Sequence, residues 1–223
     1  MNLDIVTTLL SIPAILIALT IHECAHGYAA YRLGDPTARS LGRLSLNPLH
    51  HLDPIGALCM LFFHFGWAKP VPINARYFKK PRRDMAITAL CGPLANFLLA
   101  FIGAFLYVAL LVGFNSILQH VTVSAFVYRL LEYTLLFFYY FHFINLTLGL
   151  FNCLPIPPLD GSRFILLLLP AKVHFRIMRY EQYISIALML LLFFGAFTGI
   201  LSGAAEWISN GMISLFRNIF RLA

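Results

Sequence analysis

His22-Glu23-Cys24-Ala25-His26 places two imidazoles four residues apart with a carboxylate beside the first. On a helix, positions four apart share a face, so His22 and His26 can bind one Zn2+ while Glu23, turned about 100° away, reaches a metal-bound water. With 8 His in 223 residues, this composition produces such a match by chance roughly 0.005 times per chain, so chance explains it poorly. A lone buried His is usually a hydrogen-bonded core residue. These three ionisable groups instead end the apolar run Ile5 to Ile21, and ionisable groups at membrane depth are costly and mark function.

The elements that must position this trio are membrane helices. The chain is 60% hydrophobic and 11% charged, with a mean hydropathy of +0.81, far from a soluble domain at about 25% charged. The expectation is an all-α polytopic membrane protein in one domain, 1–223, with four transmembrane helices and room for a fifth. The spans are expected at about 3–33, 85–114, 131–152 and 183–201. The N-terminus lacks the basic region and cleavage site of a signal peptide, so the first span is expected to stay. A net charge of +7 comes from basic residues flanking apolar segments, which suits membrane topology and argues against nucleic acid. Cys24, Cys59, Cys91 and Cys153 are dispersed and read as free thiols.

Between spans one and two lies a basic, Pro-rich connection with Arg39, Arg43, Lys69, Arg76, Lys79, Lys80, Arg82 and Arg83, read as cytoplasmic. That puts the N-terminus outside. Within the connection, 55–74 is expected to be a re-entrant and β-edge segment: Ile55 to Trp67 is apolar but too short to span, and Pro70 and Pro72 confine a strand to a sheet edge. Residues 206–222 are expected to form an amphipathic helix, because Ile208, Met212, Leu215, Phe216 and Ile219 share a face. Whether it lies on the membrane or spans it stays open. Asn96 and Asn145, polar within spans, are expected to be interhelical hydrogen-bond partners. His50, His51 and His64 are expected to be hydrogen-bonding or interfacial, with an extra regulatory metal site left open, and Arg129 with Glu132 to be a solvated pair.

A catalytic zinc takes three protein ligands and leaves a position for water. Asp160 is the candidate third ligand, because the topology returns it to the histidines' side and Pro155, Pro157 and Pro158 hold irregular backbone there. Such backbone is tolerable at depth when buried in protein or lining a wet cavity. Alone, Asp160-Gly161 reads equally as a turn or helix N-cap.

These residues resemble the site-2 protease family of intramembrane zinc metalloproteases, whose second signature, N-x-x-P-x-P-x-x-D-G, stands here as Asn152 to Gly161. Gly92-Pro93-Leu-Ala-Asn96, Asn47-Pro48 with His51 and Asp53-Pro54, and Trp67-Ala-Lys-Pro70-Val-Pro72 look like its compact bacterial branch. The resemblance covers about Ile21 to Ser162. It implies that His22, His26 and Asp160 ligate one Zn2+, that Glu23 is general base and acid, and that Asn152 is an oxyanion or substrate-orienting group. It also suggests that Pro70, Val71, Pro72 and Asn74 bind an unwound substrate segment by strand addition. The chain has no room for the PDZ or CBS domain often found in the family. The implied function is an endopeptidase of the cell membrane with its site near the cytoplasmic face. It would act on single-span membrane proteins, such as membrane-tethered regulators or remnant signal peptides. Selection is left to the re-entrant and Pro-rich connection or to a partner protein, and a homo-oligomer or an adaptor protein is left open. A metal-ion transporter using the same His and Asp residues is the competing class.

Overall fold

The computed structural model describes residues 5–63 and 66–220 and is helical throughout; no strand occurs among the described residues. His64 lies outside them. In chain order the helices are α1 Ile5–Arg32, α2 Thr37–Ser40, α3 Pro54–Phe63, α4 Pro81–His120, α5 Ala125–Asn152, α6 Asp160–Leu168, α7 Ala171–Arg179, α8 Glu181–Phe193 and α9 Thr198–Ile219. Among the described residues α1, α4 and α5 are long and apolar enough to cross a membrane.

These three pack on one another through small residues. Ala14 and Ala18 of α1, and Ala86, Ala89, Gly92, Ala100, Gly103 and Ala104 of α4, are buried, whereas Leu94, Leu98, Phe101 and Phe105 of α4 are exposed. The buried stripe recurs every three or four residues, so one face of α4 is narrow enough for close helix approach while the bulky apolar side chains turn outward, as suits lipid.

Helix ends follow local chemistry. α1 stops at Gly34, whose φ of +111° lets Gly34 N bond Tyr31 O and Asp35 N bond Ala30 O, the glycine-terminated cap that satisfies the last carbonyls. Asp35, fully buried, then accepts from Thr37 N at 2.9 Å and from Asn74 N at 2.6 Å. It ties the far end of the Pro-rich connection to the exit of α1.

The fourth expected span differs. α8 ends at Phe193, where Gly195 at φ +73° accepts the turn and Ala196 N bonds Leu191 O. A 13-residue helix is about 20 Å long, short of a hydrocarbon core of about 30 Å, so 183–201 is not one continuous helix. The C-terminal helix forms, beginning at Thr198, earlier than the expected 206. Its apolar face packs against α4 and α5 through Ala205, Met212 and Phe216. At the centre of that contact buried His142 bridges three helices: Nδ1 faces Ala100 O at 2.7 Å and Nε2 faces Ser209 Oγ at 2.9 Å. Arg129 and Glu132 pair at 2.8 Å on an exposed face, as the sequence suggested.

The β-edge expectation is corrected. Pro70, Val71, Pro72 and Asn74 lie in irregular backbone, and the nearest pairing is an isolated antiparallel bridge between Leu52 and Ala68. The cause is donor supply. Pro70 and Pro72 have no N–H, and neighbouring donors are spent elsewhere: Lys69 N on His51 O, Val71 N on Glu23, Asn74 N on Asp35. No ladder can form from what remains. The bridge closes the excursion that includes α3, and Gly56 sits so close to Trp67 that a Cβ there would overlap the Trp67 carbonyl.

Candidate metal centre

α1 carries His22 and His26 on the face turned to α4, and both imidazoles are buried. Their rings stand nearly perpendicular, at 86° with centroids 4.6 Å apart, and their Nε2 atoms are 3.0 Å apart. α4 makes room for them at Gly92, where any Cβ would overlap both rings. One residue on, Pro93 has no N–H to bond Ala89 O. In the turn before it Thr88 O meets His26 Nδ1 at 2.8 Å. A carbonyl only accepts, so His26 Nδ1 carries the proton and the neutral ring presents an Nε2 lone pair. His22 Nδ1 meets Asn96 Oδ1 at 2.5 Å.

Asp160 arrives from the other side of the bundle as the first residue of α6; the N-cap is Leu159. Its placement rests on Gly161, where a Cβ would overlap the Cys153 and Leu154 carbonyls at the end of α5. Thus the Asp-Gly pair is a close approach of backbone to backbone rather than a free turn. Asp160 Oδ2 lies 3.0 Å from His22 Nε2 and 3.2 Å from His26 Nε2. Burial opposes its ionisation, but imidazolium Nε2–H groups of His22 and His26, when those rings are protonated, donate to the carboxylate and with their charge outweigh burial, holding the carboxyl down to about 2. Cys153, beside it, has its thiol pushed up by burial and by the Asp160 charge.

The three atoms crowd in a way that calls for a cation. Two imidazole nitrogens and a carboxylate oxygen, all acceptors when unprotonated, sit 3.0–3.2 Å apart. Donor atoms around a tetrahedral zinc with bonds of about 2.0 Å are about 3.3 Å apart. The residues present therefore fit a metal, and His22, His26 and Asp160 are the group of His, Cys, Asp or Glu side chains found to converge among the described residues.

The centre opens into a cavity of about 660 Å3 walled by α1, α4, the α5–α6 connection, α8 and the Pro-rich segment, with Trp67, Val71, Asn152, Arg163 and Leu188 on its lining. Glu23 faces this cavity, and its Oε2 accepts from Val71 N at 2.8 Å. Asn152 also lines it, with Nδ2 donating to Leu148 O of its own helix at 3.0 Å. Of the residues named for substrate binding, Pro70 and Val71 border the cavity, whereas Pro72 and Asn74 do not, and Asn74 N donates to Asp35. His51 is buried outside the centre with Nε2 2.7 Å from Ser45 O, and His50 reaches Gly42 O at 3.4 Å, both hydrogen-bonding roles.

Comparison with known proteins decides the family. The model of "Peptidase family M50" matches residues 10–195, most of the chain. The chain belongs to peptidase family M50. A Bacillus subtilis (strain 168) protein named "Putative zinc metalloprotease YwhC" is 41% identical over 184 residues, 79% of this chain and 77% of its own. Two mycobacterial proteins named "Putative zinc metalloprotease Rip2" are more distant. That of Mycolicibacterium smegmatis is 30% identical over 66% of this chain and 52% of its own. That of Mycobacterium tuberculosis (strain ATCC 25618 / H37Rv) is 27% identical over 86% and 70%. No solved structure matches the chain. The stretch matched by the M50 model takes in both histidines, Glu23 and Asp160, and ends before α9.

Sequence reasoning named the three residues that converge here. It did not find Thr88 O or Val71 N, which are backbone atoms without a residue-type signal, nor the space that Gly92 leaves, although Gly92-Pro93 and Asn96 stood in the motif.

Proposed function

We propose that this M50 peptidase is an intramembrane zinc endopeptidase in which His22, His26 and Asp160 hold one Zn2+ and Glu23 is general base and acid. The observation that carries the reading is the convergence of three acceptor atoms at 3.0–3.2 Å beside a carboxylate in a cavity between membrane-length helices. Zinc held there would acidify water and polarise a peptide carbonyl.

The chain's own residues do the rest. Glu23 Oε2 is engaged by Val71 N–H, which leaves the other carboxylate oxygen to take a proton from the attacking water and pass it to the leaving amine. Asn152 has a second amide hydrogen beyond its bond to Leu148 O and lines the same cavity, where it can donate to the developing oxyanion. The substrate is a transmembrane segment of a single-span membrane protein, unwound so that its carbonyls are exposed. Pro70 and Pro72 contribute carbonyls without competing N–H groups, so the Pro-rich segment can receive N–H groups that the unwound helix has released. Asn74 anchors that segment through Asp35. The basic connection supports a centre towards the cytoplasmic face of the cell membrane, with the N-terminus outside, and α9 packs on α4 and α5.

The test uses purified protein in detergent with tagged single-span substrates. Glu23→Gln is expected to abolish cleavage while one zinc per chain remains bound, and a zinc chelator to stop cleavage by the unchanged protein. Metal flux into liposomes without proteolysis would mean a transporter instead.

A further inference from the structure

Behind His22 two asparagines form a buried chain that no catalytic step uses. Asn96 of α4 and Asn145 of α5 are both fully buried. Asn145 Nδ2 donates to Phe141 O at 2.8 Å; Asn96 Nδ2 donates to Asn145 Oδ1 at 2.9 Å and to Ala18 O at 3.2 Å; Asn96 Oδ1 faces His22 Nδ1 at 2.5 Å.

The orientation of every group in this chain follows from two backbone carbonyls, which can only accept. Phe141 O forces Asn145 to present its nitrogen inward along α5 and its oxygen to Asn96. That oxygen, together with Ala18 O, draws the Asn96 nitrogen, so both Asn96 N–H bonds are committed and its oxygen must face His22. An oxygen there requires a proton on His22 Nδ1. The Nε2 lone pair is then directed at His26 and Asp160, as it already is for His26 through Thr88 O. Reversing the Asn96 amide would put two donors against His22 and leave two oxygens facing its own, a state with several unpaired polar groups in an apolar bundle.

We propose that Asn96, held by Asn145, is a positioning residue for the metal centre, locking His22 in the tautomer that presents Nε2 to the ion. The proposal rests on the zinc reading above and names how that site is kept ready. α5 thereby contributes to a centre whose ligands lie on α1 and α6. Asn145 acts only through Asn96: without its oxygen the Asn96 nitrogen is held by Ala18 O alone, and an amide turned to offer N–H to His22 Nδ1 favours the tautomer with the proton on Nε2, which opposes ligation.

The experiment measures zinc affinity of the full chain in detergent by chelator competition, with thermal unfolding of the zinc-free protein alongside. Asn145→Leu and Asn96→Ala are each expected to weaken zinc about 10- to 100-fold, the range for outer-shell partners of a metal-bound His. The double variant should be no weaker than Asn96→Ala alone. Ser209→Ala, which removes a buried hydrogen bond from the neighbouring polar layer, is expected to lower the unfolding temperature and leave zinc affinity unchanged. Zinc affinities of Asn145→Leu and Asn96→Ala within twofold of the unchanged protein would overturn the proposal, as would equal weakening by Ser209→Ala. Should the asparagine variants fail to fold, nitrogen NMR of His22 in the zinc-free unchanged protein decides: a protonated Nδ1 in the neutral ring supports the lock, a protonated Nε2 refutes it. Absence of zinc binding by the unchanged protein would count against the metal reading, and the tautomer measurement would still judge this one.

Discussion

The backbone N–H of Val71 donates to Glu23 Oε2 at 2.8 Å across 48 residues of sequence. The Pro-rich connection thus reaches back onto the helix that carries the proposed base and fixes one of its two oxygens. Val71 is buried, with its side chain near Gly27 of the same helix, so the contact is part of the packing.

Val71→Pro removes this donor at a position that, preceding a proline, is already biased to extended backbone. Val71→Ala, which keeps the N–H while trimming the buried side chain, is the control for lost packing. A hydrogen bond to a charged group contributes about 1.5–3 kcal/mol. Even the lower end corresponds to about a tenfold effect. The expected outcome is a fall in kcat of at least that size with zinc still bound, measured by steady-state cleavage and metal analysis of the same sample. Unchanged kcat would show that Glu23 needs no holding.

Gly92→Ala gives a prediction whose sign separates two effects. By helix propensity alone, Ala in place of Gly stabilises a helix interior by about 1 kcal/mol. Here the added Cβ overlaps His26 Nε2 and His22 Cε1, so it must displace the rings from the centre. Zinc content is expected to fall to a small fraction while the protein stays folded, read by metal analysis and circular dichroism. Full zinc occupancy in a more stable variant would mean that the rings have room.

How much of this was legible in the sequence depends on range. His22, Glu23 and His26 lie within one helical turn or so, and period 3.6 alone brings them together. Asp160 was reachable because hydropathy and charge fix which side of a membrane each loop lies on. Asn96 and Asn145 were recognisable as buried partners, but their link to His22 spans 74 residues and leaves no local pattern. The break at Gly195 was hidden by the apolar residues around it, since hydropathy counts side chains and a cap depends on φ. The strand failed for the same kind of reason: the prolines and the family resemblance suggested an edge, while the competing acceptors His51 O, Glu23 and Asp35 lie in other segments.

Ser209→Ala tests how firmly α9 belongs to the bundle. His142 Nδ1 must donate to Ala100 O, so Nε2 is left as an acceptor and the Ser209 hydroxyl donates to it. Removing that hydroxyl strands a buried nitrogen. Such interhelical hydrogen bonds in membranes contribute about 0.6 kcal/mol on average and up to about 1.7. A loss of stability of about 1 kcal/mol with cleavage retained is expected, measured by reversible unfolding in mixed micelles. No change in stability would indicate that α9 does not dock through this pair.

Zinc affinity should depend on pH in a way that counts the ligands. An imidazole must present an unprotonated Nε2 to ligate, so protons compete with zinc for His22 and His26 and acidification weakens binding. Asp160 differs, because its carboxyl is held at about 2 and stays ionised between about pH 5 and 8, so it has no proton to release. The logarithm of the zinc dissociation constant is therefore expected to rise as pH falls, with a slope below three per pH unit, because Asp160 adds nothing to it. Chelator competition at a series of pH values measures that slope. A slope of three would mean that Asp160 is protonated in the metal-free protein, and a flat profile would mean that the histidines are not ligands.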